Sequence, residues 1–168
     1  HAAFRELLRE HLGALYGFAR THSRSDEAAE ELVQRTFVRL WSSRKRLPEH
    51  GSLRAYCYRI LLNLAHDRFR DDNLRRKREE EGAAMLSEMH SANEPERVQL
   101  GAEAWAMVRE LSPELREPVE LHFSQGLSLA EVGDVLALSK ATVHVRIQDA
   151  LERLRRKLDT RRAGIPAG

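Results

Sequence analysis

At 168 residues the chain has room for one domain or two small ones, and a hydrophobic content of 42% is enough for a packed core. Charged residues make up 32%, yet the formal net charge is only +2, which excludes a polycation and leaves any nucleic-acid footprint to local basic patches. A single cysteine excludes an internal disulfide, no apolar run approaches membrane-spanning length and no signal peptide is visible, so a reducing cytoplasm is expected. Glycine and proline are few and strand-like alternation is absent, so the expected class is all-α.

Taken in order, residues 3 to about 20 carry Phe4, Leu7, Leu8, Leu12, Leu15 and Phe18 at amphipathic-helix spacing. Ser25 is placed to cap a second helix, opened by Asp26 and Glu27, where the helix dipole favours acids. Its expected apolar face is Leu32, Val33, Phe37, Leu40 and Trp41, with Glu30, Glu31, Gln34 and Arg35 on the other side. Proline and glycine punctuate a loop from Leu47 through His50 to Gly51. Ser52 then caps a third helix, expected to end near Arg70, with Leu53, Tyr56, Ile60, Leu61, Leu64 and Phe69 as its apolar positions. Its polar face interleaves Arg54, Tyr58, Arg59, Asn63, His66, Asp67 and Arg70. Aromatic rings beside guanidiniums suit unpaired bases and phosphates. The same spacing also suits half-buried tyrosines beside solvated arginines.

From Asp71 to Asn93 the chain is charged and weakly patterned, and reads as a linker, partly helical at most. A helix starting near Pro95 takes in Val98, Leu100, Trp105, Val108 and Leu111. Ser112-Pro113 opens another, with proline at the first helical position, followed by Val119, Leu121 and Phe123, and Gly126 fits a helix C-cap. Ser128 and Glu131 form a capping box for a short helix with Leu129, Val132, Val135 and Leu136 on one face. Gly133 inside that helix allows a close approach of the next element. After a tight turn, Ser139 caps a longer basic helix striped by Val143, Ile147, Leu151, Leu154 and Leu158. This is a helix-turn-helix pattern, in which the second helix enters the major groove and its first turns face base edges. Those turns offer Lys140, Thr142, His144, Arg146 and Gln148, with Arg146 expected opposite Ile147, and further along Arg153, Arg155 and Arg156 suit either phosphate anchors or plain solvated charge. A plain helical hairpin shares the same pattern. Residues 161 to 168 read as a frayed tail.

Enzyme chemistry finds no support. The eight histidines are scattered without metal-ligand spacing, no glycine-rich phosphate loop is present, and Cys57 sits mid-helix on a packed pattern that suits a buried thiol. No cofactor is expected.

Two regions of the chain resemble a known family. Leu32-Val33-Gln34-Arg35-Thr36-Phe37, Arg54-Ala55-Tyr56-Cys57-Tyr58-Arg59-Ile60 and Asn63-Leu64-Ala65-His66-Asp67 look like the second domain of bacterial sigma factors. Gly126-Leu127-Ser128 through Thr142-Val143-His144-Val145-Arg146 looks like their fourth domain. Two such domains on one short chain resemble the extracytoplasmic-function group. The resemblance implies sigma domain two over 1–70, a linker over 71–94, sigma domain four over 95–160 and a tail over 161–168. It implies an alternative sigma factor that binds core RNA polymerase at clamp and flap, recognises and melts promoter DNA, and is controlled by an anti-sigma factor, without membrane insertion. Glu31, Leu32, Gln34, Arg35 and Phe37 would meet the polymerase. His50, Ser52, Arg54, Tyr56, Tyr58, Arg59, Asn63, His66, Asp67 and Arg70 would meet the −10 element. Ser139, Lys140, Thr142, His144, Arg146, Gln148 and Arg153 would meet the −35 element. The chain departs from the family pattern at Arg35, where an acid is usual, at Ala28, where aspartate is usual, and at Tyr56, which replaces tryptophan. Ala137 stands where glycine is common, and His144 where lysine is frequent. An adaptor that only binds an anti-sigma protein, or a helix-turn-helix repressor, are the alternatives.

Overall fold

The computed structural model describes residues 2–45, 52–80 and 99–164, with seven α-helices among them. The expected loop around His50, the linker beyond position 80, the segment around Pro95 and Val98 and the tail past position 164 lie outside the described residues. So do the side chains of Phe4, Leu7, Leu8 and Leu100. The chain divides into two compact units, His1–Asn93 and Glu94–Gly168.

The first unit packs α1 (Ala2–Thr21), α2 (Asp26–Ser43) and α3 (Leu53–Glu80). Ser25 caps α2 as expected, its hydroxyl accepting from the Ala28 N–H at 3.2 Å, and Arg20 reaches across the turn to Asp26 at 2.7 Å. Ser52 does the same for α3, accepting from the Ala55 N–H at 3.2 Å. The core takes Leu15, Phe18 and Ala19 from α1, Leu32, Val33 and Leu40 from α2, and Leu61, Leu62 and Leu64 from α3. Thr36 is also buried, its hydroxyl donating to the Leu32 carbonyl at 2.8 Å, so the helix itself satisfies the buried group. Leu12, expected inside, is 46% exposed.

The third helix is longer than its apolar pattern. It continues ten residues past Arg70 to Glu80, through Asp71, Asp72 and Asn73 and then a run of leucine, arginine, lysine and glutamate, with no glycine or proline to stop it. Arg24 in the α1–α2 turn meets Asp72 at 3.6 Å and ties this extension to the bundle. Phe69, expected in the core, is 61% exposed, although Arg68 and Asp72 on either side of it still meet α2 and the α1–α2 turn.

The second unit holds α4 (Gln99–Arg109), α5 (Pro113–Val119), a π-helical turn over Glu120–Ser124, α6 (Leu129–Leu136) and α7 (Lys140–Arg162). Pro113 occupies the first turn of α5 as expected. Pro118 lies inside that helix, lacks an N–H to give, and the widened turn follows directly. Gly126, at φ +67°, takes the left-handed conformation that ends it. Val108, Leu111, Leu115, Val119 and Ala150 form a core cluster, with Trp105 and Leu154 packed against it.

The α6–α7 turn follows the sequence closely. Glu131 N–H donates to Ser128 Oγ at 3.2 Å while Ser128 N–H donates to Glu131 Oε2 at 2.8 Å, which completes the capping box. Ala137 sits at φ 55°, ψ 46°, a left-handed conformation rare for a residue with a Cβ. Leu138 N–H returns to the Gly133 carbonyl at 2.9 Å. A Cβ on Gly133 would stand 2.6 Å from the Leu138 carbonyl oxygen, so the turn requires glycine there.

Two substitutions test this turn. Ala137→Gly relieves the left-handed strain and is expected to stabilise the protein by about 1 kcal/mol. Gly133→Ala drives a Cβ into backbone and is expected to destabilise it. Urea midpoints of the two variants should move in opposite directions.

Candidate nucleic-acid interface

Helix α2 turns Glu31, Gln34 and Arg35 to solvent, with Phe37 half-buried. Arg68 of α3 donates to Glu31 Oε2 at 2.9 Å, and Arg35 approaches the other oxygen at 4.0 Å. Arg35, the charge reversal of the family pattern, therefore meets an acid on its own helix. Leu32 is 3% exposed and belongs to the core, as its place on the apolar face of α2 after Ala28 and Ala29 leads one to expect, and this takes it out of the polymerase-facing set that the resemblance implied. Val38, absent from the expected set, is 66% exposed beside Gln34 and Arg35.

Helix α3 exposes Arg59, Asn63, His66 and Arg70, spaced four, three and four, and hence on one line along the helix. Asp67 stands beside them, 3.8 Å from Arg70. Arg54 and Tyr56 are half-buried at the start of the helix, and Ser52 spends its hydroxyl on the cap. Tyr58 corrects the sequence reading: it is 1% exposed and its ring meets Phe18 edge-on at 5.2 Å. Position 58 falls on the same stripe as Leu61, Leu62 and Ala65, so an aromatic there fills the core and no unpaired base can reach it. Burial pushes its hydroxyl pKa up, partly opposed by Arg54, which hydrogen-bonds it. Beside it Cys57 is buried as expected, and desolvation raises its thiol from 9.0 to about 11.

Helix α7 begins with its cap intact. Ser139 Oγ accepts from the Thr142 N–H at 3.1 Å and lies 2.8 Å from the Thr142 hydroxyl, so both groups are engaged with each other. Val143, Ile147 and Ala150 are buried beneath. Lys140, His144, Gln148 and Arg153 are exposed. Arg146 is only half-buried, because it stands next to Ile147 around the helix rather than opposite it. The apolar stripe stops short of its expected length: Leu151 and Leu158 are each 39% exposed. They line an open groove of about 450 Å³ with Ala104, Met107 and Val108 of α4 and with Leu154, rimmed by Arg155, Asp159 and Arg162. Nearby, Lys157 binds Glu110 at 2.8 Å and Arg161 approaches it at 3.8 Å. Among the described residues no cluster suited to a metal ion occurs, and no helix is long and apolar enough to cross a membrane.

Comparison with known proteins decides the family. Residues 7–75 match the model of Sigma-70 region 2, and residues 108–156 match that of Sigma-70, region 4. The chain belongs to the sigma-70 family. It is 32% identical over 159 residues to the ECF RNA polymerase sigma factor SigE of Mycolicibacterium smegmatis. That match covers 89% of this chain and 59% of the relative, so the chain spans less than two thirds of the relative's length. Among solved structures, one of sigma factor RpoE in complex with the anti-sigma factor NepR from Bartonella quintana is similar, at a TM-score of 0.76 and 24% identity. It covers 95% of this chain and 98% of that one, and the likeness is one of fold. A structure of CnrH in complex with the cytosolic domain of CnrY aligns at a TM-score of 0.68 and 27% identity over 95% of this chain and 89% of that one.

The sigma-70 family is one of non-catalytic transcription initiation factors. Region 2 takes in α1 to α3, and region 4 contains the helix-turn-helix of α6 and α7. Within region 2 the core holds both Cys57 and Tyr58, which makes it sensitive to alkali. Cys57 ionises near 9.0 in the unfolded chain but only near 11 when folded, so its burial supports folding fully below pH 9. That support is expected to fade between pH 9 and 11 as the unfolded thiol deprotonates first. Chemical denaturation across this range should show the loss, and Cys57→Ala should flatten it.

Proposed function

We propose that the chain is an alternative sigma factor: it binds core RNA polymerase, directs it to particular promoters and opens the DNA there. It does so without catalysis or cofactor, in the bacterial cytoplasm, by contact energy alone. The observation that carries this reading is the ordered pair of sigma-70 regions, each presenting an accessible polar helix face. On α2, Glu31, Gln34, Arg35 and half-buried Phe37 are the residues proposed for the polymerase clamp, with exposed Val38 adding apolar area. On α3, the Arg59–Asn63–His66–Arg70 line, with Arg54, Tyr56 and Asp67, is proposed to meet the −10 element, together with Ser52 and His50. Guanidiniums along that line would hold phosphates, and Tyr56 is the aromatic left to stack on an unpaired base. On α7, Lys140, His144, Arg146, Gln148 and Arg153 are proposed to meet the −35 element, with Ser139 and Thr142 shaping the helix start. The apolar groove between α4 and α7 has the chemistry to receive an amphipathic segment of the polymerase flap. Control by an anti-sigma protein is part of the proposal, supported by the solved RpoE, a sigma factor in complex with the anti-sigma factor NepR. Neither region alone is expected to hold a promoter well, since linking two weak contacts is what raises their joint affinity.

Co-purification with core polymerase and run-off transcription from a selected promoter test the reading directly. A chain that binds an anti-sigma protein but neither associates with polymerase nor starts transcripts would be an adaptor instead. Arg146→Ala is expected to cost about 1–3 kcal/mol of promoter binding if the guanidinium reads a base, with specificity relaxed at one position. In open complexes, Arg59→Ala combined with Asn63→Ala should lower permanganate reactivity of the −10 thymines. Unchanged reactivity would remove α3 from the strand-opening surface.

A further inference from the structure

Residues four apart on a helix form rows along its surface. At the start of α7 three rows run side by side: Lys140–His144–Gln148, Ala141–Val145–Asp149 and Thr142–Arg146–Ala150. The third row runs into the core at Ala150. The middle row points furthest from the packing: Val145 is two positions from both Val143 and Ile147, roughly 200° around the helix from each. All three of its members are exposed, Val145 by 55%. The outermost ridge of a helix otherwise rich in cations is thus an alanine, a valine and a carboxylate. A β-branched residue there lies outside the core, more than half exposed, and is a mediocre helix former. Asp149 has Arg146 and Arg153 within reach in sequence, yet the ion pairs along α7, Arg156–Glu152, Lys157–Glu110 and Arg161–Glu110, do not take it in. A bare carboxylate on a helix that approaches DNA opposes binding unless a base donor meets it.

We infer that this middle row adds its own base discrimination to α7: Val145 packs on the 5-methyl group of a thymine, and Asp149 accepts a hydrogen bond from the N4 amino group of a cytosine. Both groups are displayed in the major groove, where the thymine methyl is met by apolar side chains and the cytosine amine by acids. The flanking rows straddle the ridge, with Lys140 on one side and Arg146 on the other. Side chains four apart lie about 5–6 Å from one another, and successive base pairs are about 3.4 Å apart, so the two pyrimidines are one or two steps apart. The inference rests on reading α7 as the −35 helix.

The test uses polymerase reconstituted with the full chain or with Val145→Ala, Val145→Thr or Asp149→Ala, each selecting from promoters randomised across the −35 element. Wild type is expected to enrich thymine at one position and cytosine close by. Val145→Ala loses the thymine preference by about fourfold, the worth of one buried methyl group, while Val145→Thr, which keeps a methyl, retains it. Replacing that thymine by uracil weakens wild-type binding to a similar extent and leaves Val145→Ala unaffected. Asp149→Ala loses the cytosine preference. If uracil is neutral throughout the element and Val145→Ala keeps every preference, the valine half is overturned. Uniform tightening of Asp149→Ala on all sequences reduces Asp149 to plain repulsion and overturns the other half. A wild-type chain that forms holoenzyme and selects promoters, with Val145→Ala and Asp149→Ala both unchanged, sinks only this inference. A wild-type chain that never joins the polymerase sinks the sigma-factor reading, and the ridge with it.

Discussion

The contact between Gly133 and the Leu138 carbonyl fixes where α7 can begin. With hydrogen as its side chain, Gly133 lets the turn fold back onto α6, and the Leu138 N–H closes the loop on the Gly133 carbonyl at 2.9 Å. Ala137 accepts a left-handed backbone to make that possible. The Ser139 cap follows directly, and from it the register of every later side chain on α7. One residue of slip would rotate the helix by about 100° and exchange Val143 and Ile147 for polar neighbours. The exposed rows are therefore consequences of a backbone contact made outside the helix that carries them.

In the first unit the corresponding constraint is aromatic. Phe18 and Tyr58 meet edge-on, which sets the face of α3 that turns inward. With Cys57, Tyr58, Leu61, Leu64 and Ala65 inside, Arg59, Asn63, His66 and Arg70 point outward, because they share the side of α3 away from that buried face. Arg68 donating to Glu31 and Arg24 approaching Asp72 are exposed or half-exposed pairs, worth little individually. Their use is positional, since each links α3 to residues of α2 or of the turn before it.

Much of this was legible in the sequence where local chemistry decides the outcome. Ser25, Ser52, Ser128 with Glu131, and Ser139 all cap where their spacing predicts, because a cap depends on four consecutive residues. Gly126 and Pro113 behave likewise. Burial was less legible. Tyr58 and Leu32 were expected at binding surfaces and lie in the core, because a family motif marks a stretch and not which of its side chains face inward. Leu151, Leu158 and Phe69 were expected inside and are exposed, because an apolar stripe does not say which of its members a neighbouring helix covers. The continuation of α3 to Glu80 was hidden by charge: good helix formers without an apolar face look like linker until the helix before them is seen to carry them on. Val145 and Asp149 escaped notice for the opposite reason, since a search for basic side chains passes over the neutral and acidic ones between them.

Cys57 is the only sulfhydryl in these 168 residues, and it is sealed in the core with its ionisation suppressed. Peroxides and disulfide-exchanging reagents attack the thiolate form, which the folded state withholds. The described bundle is therefore deaf to oxidants by construction. An oxidative signal would have to arise outside this bundle and reach it through a surface rather than a bond.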